Sequence, residues 1–294
     1  MSTTTTNTDG YYIPQPSYYP IIGSAALLCL ALGAVFLMND IAAGPYVLFA
    51  GFAILVYFLF VWFGKVIGES ESGKYSRQVD LSFRWSMSWF IFSEVMFFAA
   101  FFGTLFYMRV LSVPGLGTDA TGEYLWPAFT PGWPTVGPGI DEKLEVMSAW
   151  GLPAINTLLL LSSGVTVTWA HWALKANNRG QLILSMILTI ALGITFLTLQ
   201  AVEYHHAYTE LGLNLSMGAY GATFFMLTGF HGLHVTIGTI MLIVCLKRAY
   251  NGDFTPRQHF GFEAAAWYWH FVDVVWLFLF MAIYVWGNWG FVVE

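Results

Sequence analysis

The sequence contains very little charge. Only 10% of its 294 residues are Asp, Glu, Lys or Arg, whereas 57% are hydrophobic, and the mean hydropathy is +0.64. Because a soluble domain carries about a quarter charged residues, this composition excludes a soluble globular enzyme and predicts a protein that crosses a membrane several times. The first twenty residues contain no Lys or Arg, so neither a secretory signal nor an Arg-rich transit peptide is expected.

Motifs for chemistry are also scarce. The two cysteines, Cys29 and Cys245, each lie in an apolar run, which argues against a disulfide framework or a thiolate metal site. The sequence has no Gly-rich phosphate loop after a strand and no nucleophile with a base partner. One Glu-x-x-His pattern, Glu203 to His206, is typical of di-iron bundles, but such a centre needs a second copy, and Glu263 is followed only by alanines. Glu203 is also expected at the outer water interface, so the sequence predicts no metal site and no catalytic residue.

Long apolar runs dominate what is present. Each of seven runs is long enough to cross a bilayer, which predicts an all-α membrane protein with seven transmembrane helices. The first two runs, separated by a short turn, are expected to form a hairpin over residues 20–64, and the other five a bundle over residues 85–289. The runs occupy residues 20–39, 44–64, 85–109, 150–172, 181–202, 218–246 and 262–287.

The basic residues indicate which side of the membrane each connection occupies. Nine Lys and Arg residues fall in the connections 65–84, 173–180 and 247–261, whereas Arg109 and Lys143 are the only two on the opposite side. The positive-inside rule then places the N-terminal tail, residues 1–19, inside. By the same rule, the C-terminal end, residues 290–294, lies outside. The Pro-, Gly- and Trp-rich segment 110–149 is predicted to be a long irregular outer loop.

One carboxylate lies within the third apolar run. Glu94 is about nine residues from Arg84 at the basic end, which is roughly the middle of a bilayer. A charge at that depth costs between about 3 and 10 kcal/mol, so an intramembrane carboxylate is a functional-site hypothesis. The sequence leaves a proton-linked role and a structural role for Glu94 equally open.

Other polar residues occur in the later apolar runs. On the last helix, His259, Glu263, His270 and Asp273 fall within about 80° of one another, so they share a face that should point into the bundle. Hydrogen bonding between helices would explain such groups as well as a functional site would. Four of them, His231, His234, His270 and Asp273, are predicted to face protein. The predicted intramembrane polar network consists of His171, Glu203, His231, His234, Glu263, His270 and Asp273.

The last apolar run carries a specific pattern, His259-Phe-Gly-Phe-Glu-Ala-Ala-Ala-Trp-Tyr-Trp-His270-Phe-Val-Asp273. It resembles the last helix of subunit III of the haem–copper cytochrome c oxidases. The resemblance covers about residues 44–289, and further matches follow in the family's order. They are Ser93-Glu94-Val, Thr168-Trp-Ala-His171, Leu199-Gln-Ala-Val-Glu-Tyr204 and Thr228-Gly-Phe-His-Gly-Leu-His-Val235.

The resemblance implies a non-catalytic subunit of a proton-pumping terminal oxidase. Haem and copper are then expected in the partner subunits I and II, and no cofactor in this chain. It also implies that the hairpin is splayed from the bundle by a cleft that holds phospholipids. The subunit would support proton uptake and protect the catalytic subunit from inactivation during turnover, and Glu94 falls at the family's carbodiimide-reactive carboxylate. The residues expected to contact lipid are Trp62, Lys65, Arg84 and Arg248.

The poor match of the outer loop 110–149 to compact mitochondrial members favours a bacterial chain in the cytoplasmic membrane. Seven spans favour the branch that oxidises cytochrome c. The alternative is a stand-alone proton or solute transporter that uses Glu94, Glu263 and Asp273 as a relay. A transporter should show an internal repeat and broken helices at mid-membrane, and neither is found in this sequence.

Overall fold

The computed structural model describes residues 11–118, 120–140 and 144–288, and within them every regular element is a helix. Seven of these helices are long and apolar enough to cross a membrane, which confirms the predicted fold class. The seven helices are α1 (Tyr19–Met38), α2 (Gly44–Glu71), α3 (Arg77–Phe106), α6 (Leu152–Lys175), α7 (Arg179–Thr209), α8 (Gly218–Asn251) and α9 (Phe260–Leu279). Two short helices, α4 (Val113–Thr118) and α5 (Ala120–Leu125), lie between α3 and α6, and π-helical turns extend α3 over Tyr107–Ser112 and α9 over Phe280–Val285.

The chain divides into two compact units, residues 1–85 and 86–294. In the first unit, α1 and α2 pack closely because glycines stand at their contact. A Cβ added at Gly33 would lie 2.4 Å from the backbone nitrogen of Leu48, and one at Gly51 2.7 Å from that of Leu30. Small residues let apolar helices approach backbone to backbone, which is how membrane helices gain packing energy. The predicted hairpin is therefore held by sterically required glycines.

The connection after the hairpin is much shorter than residues 65–84. Helix α2 continues to Glu71 and α3 begins at Arg77, so only residues 72–76 are non-helical. The Glu69 carboxylate accepts hydrogen bonds from Tyr12 at 3.0 Å and Tyr75 at 2.9 Å, which ties the N-terminal tail to this end of α2. Burial, together with the hydrogen bond to Glu69, raises the pKa of the Tyr75 phenol. The sequence underestimated these helices because polar residues can continue a helix beyond the hydrocarbon.

In the second unit, large aromatic side chains of α9 fill the interior. Trp269 is fully buried, and Cβ atoms added at Gly193 and Gly238 would lie 2.7 Å and 2.9 Å from its ring. The Trp269 indole N–H also donates to Ser163 Oγ at 2.9 Å. One buried ring therefore joins α6, α7, α8 and α9, and it fixes how they are rotated about their axes.

The segment predicted as an irregular outer loop, 110–149, is partly helical, because the extension of α3 and the short helices α4 and α5 reach Leu125. The following stretch pairs with the start of α8. Ala219 N–H donates to the Val136 carbonyl at 3.2 Å and Tyr220 N–H to the Thr135 carbonyl at 3.1 Å. This part of the chain is thus a bonded cap on the bundle. Parts of the predicted topology lie outside the described residues, namely positions 1–10 of the N-terminal tail, Lys143 and the end 290–294.

Candidate functional site: polar groups inside the bundle

Glu94 has a specific partner, which the sequence did not identify. Its carboxylate Oε2 lies 2.8 Å from Nε2 of His234, 140 residues away on α8. The other ring nitrogen of His234, Nδ1, lies 2.6 Å from the Phe230 carbonyl, which can only accept a hydrogen bond. Nδ1 therefore carries a hydrogen, and Nε2 either accepts the proton of a neutral Glu94 or, once protonated, donates to its carboxylate. In either form a hydrogen bond joins the two side chains.

Aromatic rings surround this pair. The His234 ring is stacked on Tyr268 at a centroid distance of 6.3 Å and meets the edges of Phe98 at 5.0 Å and Phe271 at 6.4 Å. The Glu94 side chain is 22% exposed and the His234 side chain 10% exposed. Because hydrocarbon and aromatic rings offer no hydrogen-bond partner to a carboxyl group, the contact with His234 replaces the hydration that this depth of the membrane lacks.

Glu203 lies in the interior of the bundle, and its position at the outer water interface stays a prediction about membrane depth. It is fully buried, and its Oε1 accepts a hydrogen bond from the Tyr284 hydroxyl at 2.5 Å. Tyr284 belongs to the π-helical extension of α9, beyond the pattern that the sequence analysis used. A tyrosine hydroxyl satisfies one oxygen of the carboxyl group, which explains how the protein tolerates this burial.

His231, His270 and Asp273 have different environments. His231 is 1% exposed and donates from Nε2 to the Val272 carbonyl at 3.1 Å, and Asp273 is 6% exposed. A Cβ at Gly164 would lie 2.5 Å from the Asp273 carboxylate, so glycine makes room for it on α6. These two positions, with His234, confirm the prediction that they face protein.

His270 departs from that prediction. Its side chain is 46% exposed on the surface of this chain, with Nδ1 3.4 Å from Asp273 and Nε2 3.2 Å from Thr168 Oγ1. The residue lies toward the middle of α9, where hydrocarbon would offer no hydrogen-bond partner. The helical angle put His270 on the same face of α9 as Asp273, but it could not show that the imidazole lies at the outer edge of the contact with α6.

The end of the bundle where α6 connects to α7 and α8 connects to α9 is called the Arg-rich end. One cluster there could hold a metal ion. His171, His259 and Glu263 each offer a ligand atom, and these atoms lie within 4.8 Å of one another. His171 Nε2 is 3.9 Å from Glu263 Oε1, and the two imidazole centroids are 5.5 Å apart. The sequence predicted no metal site, because it lacks a second Glu-x-x-His motif and spacing along one helix does not link α9 to His171. The four-residue spacing of His259 and Glu263, which puts both side chains on one helical face, was the signal in the sequence that could have indicated this site.

The residues predicted to contact lipid occupy exposed and half-buried positions. Trp62 is 42% exposed and stacks on Phe58, and the Lys65 ammonium lies 5.3 Å from the centre of the Tyr19 ring. Arg84 pairs with Asp80 at 2.9 Å. In the second unit, Arg248 lies over the Phe254 ring and 3.7 Å from Asp253.

The comparison with known proteins gives the family. A family model described as cytochrome c oxidase subunit III matches residues 9–288. The chain belongs to this family. The cytochrome c oxidase subunit 3 of Marchantia polymorpha is 43% identical over 279 residues, which cover 95% of this chain and 97% of the relative. Those of Struthio camelus and Osphranter robustus are 42% and 41% identical and cover 97% and 100% of their own lengths.

Membership of the subunit III family makes this multi-pass membrane protein part of a multi-subunit oxidase, an oxidoreductase complex. The family also implies that the chain itself carries no redox cofactor. The five motifs quoted from the sequence therefore identified the family correctly, and the transporter alternative is not favoured.

Proposed function

We propose that this subunit III is a non-catalytic subunit of a proton-pumping oxidase that transfers electrons from cytochrome c to oxygen. It binds subunits I and II, which carry the haem and copper, and it supports proton uptake and protects subunit I from inactivation during turnover. The proton-linked part of this proposal rests on the 2.8 Å contact between Glu94 and His234.

The Glu94–His234 pair is suited to hold a proton without net charge. When the carboxyl is neutral, it donates to His234 Nε2, because Nδ1 is committed to the Phe230 carbonyl. Transfer of that proton gives an ion pair at the same distance, so no side chain has to move. A group that changes its charge distribution without moving can respond to protonation events in a neighbouring subunit, which supports the role proposed for Glu94.

The surface around His270 supports a protein partner at mid-membrane depth. A half-exposed imidazole is unfavourable against hydrocarbon, so a neighbouring subunit is expected to cover His270. We assign this face of α6 and α9 to the contact with the catalytic subunit. Val165, which is 70% exposed on α6, lies one turn from Thr168 at the edge of the same surface.

Lipid binding is supported by a groove within the first unit. The groove has a volume of about 340 Å³ and is lined by residues 16–18 just before α1 and by mostly aromatic and aliphatic side chains of α1 and α2, together with Lys65. The apolar part of this lining suits an acyl chain, and the ammonium group suits a lipid phosphate. Lipid mass spectrometry of the gently delipidated complex tests this role. Retention of phospholipid is expected, and its complete loss with the fold intact would contradict the proposal.

The Arg-rich end of the bundle is proposed to lie on the cytoplasmic side of a bacterial membrane. The helix ends and connections at that end carry Lys175, Arg179, Lys247, Arg248 and Arg257, and a positive excess is typical of the cytoplasmic side. The N-terminus is then cytoplasmic and the C-terminus periplasmic. Accessibility of a single cysteine introduced at Ser17 or at Trp150, measured in intact cells, distinguishes the two orientations.

Co-purification tests the assignment directly. An affinity tag on this chain should recover a complex with a visible haem spectrum and a larger haem-bearing partner. Val165→Trp should lower the amount of this chain that remains in the complex, because the bulky ring disturbs the proposed contact. Val202→Trp, at a 50% exposed position on α7, is the matched control and should leave retention unchanged. Purification of this chain without haem would overturn the proposal, and equal retention of both variants would overturn the assigned surface.

A further inference from the structure

A group of three metal-binding side chains joins the end of α6 to the start of α9. We propose that His171, His259 and Glu263 bind a divalent transition metal of the Zn²⁺ class. Their ligand atoms already lie within 4.8 Å of one another, and the His171–Glu263 pair is at 3.9 Å. Tetrahedral coordination at about 2.0–2.2 Å would bring such atoms to roughly 3.3–3.5 Å apart, so modest side-chain rotation completes the site.

The protein holds His259 in the form that a metal needs. Its Nδ1 lies 3.1 Å from the Thr255 carbonyl, which can only accept, so Nδ1 carries the hydrogen. Nε2 is then left with its lone pair. Metal-bound histidines usually donate their second ring nitrogen to a carbonyl or carboxylate in this way, which fixes both the tautomer and the ring orientation.

The backbone fixes the spacing between His259 and Glu263. The His259 carbonyl accepts from the N–H groups of Phe262 at 2.9 Å and Glu263 at 3.1 Å, so α9 begins here with regular geometry. Two of the three ligands therefore project from one helical turn, and His171 completes the set from α6. Because all three are half-buried, water can enter as a fourth ligand while the protein shields the rest of the ion.

The kind of ligand selects the kind of metal. Two imidazoles and one carboxylate suit Zn²⁺ and related transition metals, whereas Mg²⁺ and Ca²⁺ prefer oxygen ligands. The nearby Arg248 is engaged with Asp253 at 3.7 Å, which offsets part of its positive charge beside the site. A bound ion would clamp α6 to α9 at the Arg-rich end of the bundle. This inference does not depend on the role proposed for Glu94.

Equilibrium dialysis of the purified oxidase complex, first treated with a chelator, tests the site with Zn²⁺ as the probe. His259→Gln and His171→Gln should each remove one bound Zn²⁺ per complex or weaken it at least about tenfold, since even loss of an outer partner costs 10- to 100-fold. His206→Gln is the matched control, because His206 also lies near a carboxylate, Glu210 at 3.2 Å, but has no third ligand among the described residues. Its Zn²⁺ stoichiometry should equal that of the unmodified complex.

Structural readouts separate this site from other Zn²⁺ sites of the complex. Anomalous scattering at the zinc edge should show a peak among His171, His259 and Glu263, and Zn²⁺ should slow hydrogen exchange of the first turn of α9. Mg²⁺ should do neither. Unchanged stoichiometry in both histidine variants, each with normal subunit content, would overturn the proposal. An anomalous map without a peak between α6 and α9 would overturn it independently.

Discussion

At the scale of single residues, Glu94 shows how an acid is accommodated in apolar surroundings. An isolated charge at this depth would cost several kcal/mol, but His234 supplies a hydrogen-bond partner at 2.8 Å. The Phe230 carbonyl determines which nitrogen of His234 faces the acid. The carboxyl and the imidazole therefore act as a unit, and a change at either one should be felt by the other.

Glu94→Gln should leave the initial rate of oxygen reduction per complex nearly unchanged. The amide keeps the shape of the side chain and can donate to His234 Nε2, and this chain brings no redox centre. Labelling by a hydrophobic carbodiimide should be lost at this position. Stopped-flow oxidation of the reduced complex measures the rate, with Glu210→Gln at an exposed position as the control. An immediate collapse of the rate in Glu94→Gln would place the residue directly on the reaction path.

Tyr284→Phe should destabilise the bundle by about 1–3 kcal/mol, because it removes the donor to the buried Glu203 carboxyl and leaves an unsatisfied acceptor. The expected result is a lower temperature at which this chain dissociates from the purified complex. Tyr208→Phe, at a 52% exposed tyrosine, is the control and should have no effect. If the two variants dissociated at the same temperature, the hydrogen bond from Tyr284 would contribute nothing measurable.

At the scale of helices, close packing in the bundle depends on where glycine stands opposite a large ring. Trp269 of α9 occupies space beside Gly193 of α7 and Gly238 of α8. Lipid is as apolar as the helix surfaces, so burial alone gives little preference for one packing, and shape complementarity decides. The ring and the glycines together select one arrangement of α7, α8 and α9.

Gly238→Ala and Gly232→Ala on α8 form a matched pair. A Cβ at Gly238 would lie 2.9 Å from the Trp269 ring, whereas one at Gly232 would meet no atom within 4 Å. Overpacking should cost about 1–3 kcal/mol in Gly238→Ala. The better helix propensity of alanine should make Gly232→Ala neutral or slightly stabilising. The temperature at which each variant dissociates from the complex measures the difference. Equal temperatures would show that the Trp269 ring can shift at little cost in free energy.

At the scale of the whole molecule, loss of the chain is expected to shorten the turnover lifetime of the oxidase more than it lowers the rate of a single turnover. A complex that lacks this subunit should take up protons more slowly and lose activity over repeated turnovers, because the subunit that shields the catalytic partner is gone. Oxygen consumption followed to exhaustion, with and without added back subunit, measures the turnover lifetime. An unchanged lifetime in the depleted complex would refute the protective role.

The sequence by itself determined the number of helices long enough to cross a membrane and the family, and it predicts the depth of Glu94 in the membrane. Hydrocarbon requires a fixed length of apolar helix, so these features are written in local composition. Helical spacing also predicted that His259, Glu263, His270 and Asp273 share one face, and only the structure shows that this face meets α6. The helix ends were predicted less well, because backbone hydrogen bonds continue a helix into polar sequence where composition gives no signal.

Only the tertiary structure decided which groups meet. It joined Glu94 to His234 and Glu203 to Tyr284, left His270 half exposed, and brought His171 to His259 and Glu263. Spacing along one helix gives the angle of a side chain about its own axis, but not the rotation or the height of the neighbouring helix. Those are fixed by steric contacts such as that of Trp269 with two glycines, which involve residues distant in sequence.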